Sequence, residues 1–152
     1  MNPKHEMTPR SFLSHGRGWI SMYHAGKSAS SPRMYASNYS LLFALELYLK
    51  AYITTMDKRY STEKELKKLG HDLKKLVSVA KTTLPERYAK LLDRFCYLQA
   101  TMVDDYPECR YPMLGRGVRQ LYGGQEELLS VLKYMERVVK SVSFSEWWER
   151  DV

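Results

Sequence analysis

The chain has 152 residues, 44% hydrophobic and 27% charged, with a formal net charge of +7. That is enough for one soluble domain with a single core, and too little for a dinucleotide-binding half joined to a substrate domain. No run of about 18 apolar residues appears, and residues 1–30 lack the apolar stretch of a secretory signal, so the expectation is a cytoplasmic protein without a membrane segment. Cys96 and Cys109 have no ligand-type spacing, so no disulfide framework, metal or cofactor is expected.

Helical periodicity runs through most of the chain. Phe12, Gly16, Trp19, Ile20 and Tyr23 share one face of a first helix with a ragged start, broken by the Ser/Pro stretch at residues 28–32. Pro32 suits the first turn of a second helix over residues 33–56, which carries apolar side chains on nearly every face and so belongs at the centre of the fold. Glu46 and Lys50 are its only charges between Tyr39 and Thr55, four apart with the acid first, which predicts an ion pair.

Thr62 and Glu65 read as a capping box for a short helix ended by Gly70, within a basic connector. Asp72 caps the next helix, whose Leu73, Leu76, Val77 and Ala80 follow the i, i+3, i+4, i+7 rule. Pro85 opens a helix predicted over residues 85–103, with the stripe Tyr88, Leu91, Leu92, Phe95, Leu98 and Met102. From Asp104 to Gly124 two prolines and four glycines predict a long loop, with one helical turn at residues 118–122. Residues 125–142 close the fold with Leu128, Leu132, Met135, Val138, Val139 and Val142. The core is therefore placed at about residues 12–142 of a single domain spanning 1–152, with residues 143–152 as a tail carrying Trp147 and Trp148.

The basic excess favours polyanionic partners through phosphate neutralisation, or simply solvates helix faces. It is concentrated between Lys58 and Lys81 and between Arg110 and Arg119, and the last ten residues reverse it with Glu146, Glu149 and Asp151. His71 lies beside a helix N-terminus near Lys67 and Lys68, a setting that disfavours the imidazolium, and is expected to tie the connector to the bundle. In the loop, prolines stiffen a segment in which Arg110 stands between Tyr106 and Tyr111. A guanidinium suits phosphate or carboxylate, and phenols stack on bases or bond to anions. The alternative is that Arg110 pairs internally with Glu46, Asp104 or Asp105.

The segment ALELYLKAYI at residues 44–53, GHDLKKL at 70–76, and Tyr106 followed by Arg110, Tyr111 and Pro112 together resemble the HEPN domain, a small helical domain named for nucleotide binding in higher eukaryotes and prokaryotes. The resemblance spans about residues 18–142. It implies an all-α, up-and-down bundle of four to five helices, commonly homodimeric, and in many members a metal-independent endoribonuclease of phage-defence or toxin–antitoxin systems. It also implies a ligand cleft floored by Arg110 and Tyr111, with Tyr106, His71, Glu46 and Lys50 beside or beneath it. The ribonuclease members carry an arginine followed by a histidine after four to six residues, and no histidine follows Arg110 at that distance. The spacing does occur as Arg10 to His15 and as Arg17 to His24, which are the candidate catalytic pairs. RNA or nucleotide binding is thus expected, with cleavage left open. The alternative is a non-catalytic protein-interaction module, antitoxin-like or scaffold, anchored by the tryptophan tail.

Overall fold

A computed structural model describes residues 8–27, 31–104, 106 and 121–148, with side chains described for 8–27, 37–104, 106 and 121–142. It is all-helical among the described residues. The helices are α1 (Pro9–Gly26), α2 (Ser31–Met56), α3 (Glu63–Lys67), α4 (Leu73–Lys81), α5 (Glu86–Leu98), α6 (Ala100–Asp104) and α7 (Gln125–Trp148), with a 3₁₀ turn at Lys58–Tyr60. No helix among the described residues is long and apolar enough to cross a membrane.

α2 is the axis of the fold, as its apolar circumference predicts. α1, α4 and α7 all pack on it, and Leu41, Leu42, Ala44, Leu45, Leu49, Ala51, Tyr52 and Ile53 are 0–1% exposed. α5 covers the other side of α7, where Tyr88 stacks on Tyr134 with ring centroids 4.2 Å apart. α1 approaches α2 closely because Gly16 has no side chain. A Cβ there would stand 2.7 Å from the Tyr48 ring.

Local signals explain most boundaries. The start of α1 is sharper than expected: Thr8 Oγ1 accepts from the Ser11 amide at 3.1 Å, Ser11 Oγ accepts from the Thr8 amide at 2.7 Å, and Pro9 opens the first turn. Asp72 accepts from the Lys75 amide at 3.2 Å, and Leu73, Leu76, Val77 and Ala80 are buried, as their spacing requires. Thr62 caps α3, but Glu65 completes no box, its carboxylate taking the Lys68 ammonium at 2.8 Å.

Three expectations change. The helix predicted over residues 85–103 breaks at Gln99, whose buried amide accepts from the Tyr122 amide at 2.7 Å and donates to the Gly123 carbonyl at 2.6 Å. Those two bonds fix the end of the long connection against α5, and the apolar period cannot announce them because it ignores polar demand. Gly124 allows the approach: its φ is +80°, and a Cβ would meet Leu98 at 3.4 Å and Phe95 at 3.6 Å. Second, part of the tail is helical, because α7 runs on to Trp148. Third, seven helices are present among the described residues rather than four to five, since α3 and α6 are five-residue segments within the connections. Within the predicted loop, Tyr106 is fully buried and Leu121 is 6% exposed, while Arg110 and Tyr111 lie outside the described residues, as do the side chains of Trp147 and Trp148.

Candidate functional site

Among the described residues, two polar clusters are centred on a glutamate. The first forms around Glu46 on α2. Its Oε1 accepts from Lys50 Nζ at 2.9 Å and from His71 Nδ1, and its Oε2 accepts from the Tyr106 hydroxyl. An ionised carboxylate only accepts, so His71 carries its proton on Nδ1 toward Glu46. Glu46 is 4% exposed, and the three donors come from the same helix, from the turn before α4 and from the residues after α6. The pair expected from the four-residue spacing is present, and His71 does tie the connector to the bundle. What surrounds His71 differs from the reading of residues 67–72 alone, because a carboxylate from 25 residues away sits against its ring.

Burial pushes the Glu46 carboxyl up, but the hydrogen bonds from Lys50 and Tyr106, the Lys50 charge and the His71 bond together hold it below the ordinary glutamate value. Glu46 is therefore an ionised acceptor at neutral pH, with three donors among the described residues. Asp104, another proposed partner of Arg110, takes Lys74 Nζ at 2.6 Å and so links α6 to α4.

The second cluster opens to solvent. A cleft of about 550 Å³ between α1 and α7 is lined by Arg17, Ile20, Ser21 and His24 on one side, by Glu126, Leu129, Ser130, Leu132, Lys133 and Glu136 on the other, and by Tyr48 at its floor. At 100° per residue, Arg17 and His24, seven apart, return to nearly the same face of α1 two turns apart. The Arg17 Nε donates to Glu136 Oε1 at 2.6 Å and its Nη2 donates to the same oxygen. Tyr48 donates to Glu136 Oε2 at 3.3 Å, and Lys140 Nζ stands 3.1 Å from Oε1. Burial raises the Glu136 carboxyl, but the Arg17 and Lys140 hydrogen bonds and charges outweigh it, and the result lies below the usual value. The Tyr48 phenol is pushed up, first by burial and then by the Glu136 charge, so it serves as a donor throughout the physiological range.

Of the residues singled out from the sequence, Glu46, Lys50, His71 and Tyr106 meet at one point, and Arg17 and His24 share the cleft. Arg10 and His15 are exposed on α1 and lie outside that cleft; five residues of helix separate their directions by about 140°. Sequence reasoning missed Glu136, Lys133 and Tyr48. A signal existed for the first, since Glu136 interrupts the apolar run Leu132, Met135, Val138 and Val139 with Lys140 four residues on. No group of three or more metal-ligating side chains occurs among the described residues. Cys96 is half-buried, and its thiol is pushed up to about 12, first by desolvation and then by the Asp93 charge, which leaves it a poor nucleophile.

The chain matches no family model, no curated protein and no solved structure, so the site is read from its own residues.

Both glutamates sit below the ordinary value in the folded chain, so on acidification the unfolded chain takes up these protons first. The stability they contribute is full above about pH 4.3 and is lost as pH falls through the lower folded-state values. Thermal melts from neutral pH into the acid range are expected to be level down to about pH 5 and to fall below it. In Glu46→Gln the acid decline is expected to be shallower than in the wild type; an equally steep decline would show that Glu46 contributes nothing to it.

Proposed function

We propose that the chain is an RNA-binding helical domain of the HEPN kind, whose site is the α1–α7 cleft, and that Arg17 and His24 there support metal-independent cleavage. One observation carries this: an arginine and a histidine two turns apart on one helix face line the same open hollow. A guanidinium with one face held by Glu136 keeps its orientation, and its remaining N–H groups can meet a phosphate as a fork. His24 is exposed, so its ring can reach a bound strand. In the proposed reaction His24 takes the proton of a ribose 2′-hydroxyl and the freed oxygen bonds to the adjacent phosphorus. The P–O5′ bond then breaks to leave a 2′,3′-cyclic phosphate, and His24 returns the proton to the leaving 5′-oxygen. Arg17 offsets the charge that develops on the phosphorane. The net charge of +7 supplies long-range attraction for the strand.

The same Arg17–Glu136 pair favours a second reading, a non-catalytic interaction module, because the carboxylate already neutralises the guanidinium. Labelled RNA incubated in EDTA separates the two. Binding is expected to weaken steeply from low to moderate salt, and Arg17→Ala to weaken it further. His24→Ala is expected to lower cleavage by about 10²–10⁴-fold while leaving binding nearly intact. Absence of cut products from the wild type would remove cleavage, and salt-indifferent affinity would remove RNA. A homodimer belongs to the same proposal, with sedimentation of the purified chain as its check.

A further inference from the structure

The cleft does not end at Lys133. A shallower hollow of about 470 Å³, lined by Ser130, Lys133, Glu136, Arg137 and Lys140, shares Ser130, Lys133 and Glu136 with it. The two are therefore one continuous trough along the outer face of α7. Lys133, Arg137 and Lys140, at intervals of four and three residues, stand on nearly the same side of the helix, about 6 Å and then 4.5 Å apart along its axis. All three are exposed, and neither Lys133 nor Arg137 has an ion-pair partner among the described residues. Among the described residues Lys140 pairs with Glu136, at 60% exposure, where such a pair is weak and screened by salt.

We infer that this trough is a track for single-stranded RNA, with successive phosphates on Lys140, Arg137 and Lys133 and the strand continuing into the Arg17 and His24 end. The inference rests on the RNA-binding reading above and adds the strand's path and form. The three cations stand about one helical turn apart on long, flexible side chains, which lets each reach a separate phosphate. At the far end the track deepens, and Ile20, Leu129 and Leu132 give an apolar seat for one base. An unpaired strand can turn a base into such a seat without breaking a base pair, whereas a duplex must first unpair and unstack it. A stretch of acidic polypeptide could meet the same cations, and it has no flat heterocycle to fill the apolar end.

The test uses the whole chain and a fluorescent oligouridylate of about eight nucleotides, a length within the range of known single-strand sites. Anisotropy titrations at several salt concentrations are compared for the wild type, Lys133→Gln, Arg137→Gln and their combination with Lys140→Gln. Lys75→Gln on α4 is the surface control, and circular dichroism confirms that each variant is folded. Each track substitution is expected to weaken binding about fivefold at low salt and to reduce the slope of log affinity against log salt by about 0.7. Lys75→Gln is expected to match the wild type, and duplex RNA or polyglutamate to bind far more weakly. Track variants that bind like the wild type, while Arg17→Ala still weakens binding, would overturn the track and leave the proposed site standing. Duplex RNA or polyglutamate bound as tightly as the single strand would overturn the single-strand assignment. No RNA binding by the wild type would overturn both.

Discussion

Replacing Glu46 by alanine is expected to lower folding stability by about 3–5 kcal/mol, because it leaves a lysine ammonium without its counter-charge in the protein interior. Only 12% of the Lys50 side chain is exposed, so water cannot replace the lost carboxylate without local opening. The buried Tyr106 hydroxyl and His71 Nδ1 lose their acceptor at the same time. Urea unfolding of wild type and Glu46→Ala measures the difference, and a loss below about 1 kcal/mol would show that the carboxylate's partners find substitutes. Glu46→Gln is expected to lose less, since the amide oxygen still accepts two bonds. Pairing Glu46→Leu with Lys50→Met is expected to recover much of the deficit, because an apolar pair removes the unpartnered charge. The cluster also joins three chain segments, so Glu46→Ala is expected to speed amide exchange around residues 70–72 and at Tyr106 before it does so in α2.

Gly16→Ala is the second large effect. The new methyl would lie 2.7 Å from Cδ2 and Cε2 of Tyr48, a side chain only 1% exposed. α1 must move away from α2 or the ring must leave its position, at a cost of about 1–3 kcal/mol of overpacking. Arg17 is the next residue, so the same displacement is expected to lengthen its contact with Glu136 and to weaken RNA binding together with stability. Gly18→Ala is the matched control. Nothing lies within 4 Å of a Cβ at that position, and alanine forms helix better than glycine by up to about 1 kcal/mol, so a gain in stability is expected. Thermal melts of both variants read the contrast; equal effects of the same sign would mean that the α1–α2 approach does not depend on the missing side chain at position 16.

Much of the helical framework was readable along the chain. The Leu73, Leu76, Val77 and Ala80 stripe, the Asp72 cap and the apolar circumference of α2 are local patterns, and local patterns set which face is buried and where a helix starts. The Glu46–Lys50 pair belongs with them, since four residues of helix bring two side chains together whatever surrounds them. The break at Gln99 does not belong with them. It exists to satisfy backbone groups more than 20 residues downstream, and nothing in the run from Tyr88 to Met102 encodes where those groups come to rest.

The sites divide along the same line. From the amino-acid order alone it follows that this chain builds a helical core around one charged pair in its most apolar helix, and that Arg17 and His24 lie on one face of α1. Tertiary structure decided that His71 and Tyr106, 25 and 60 residues from Glu46, close on the same carboxylate, and that Glu136, 119 residues from Arg17, holds its guanidinium at the mouth of a cleft. Helical period is a property of each segment by itself. Which polar atoms face one another across the bundle depends on how helices cross and slide, and that is set by the packing of the whole core.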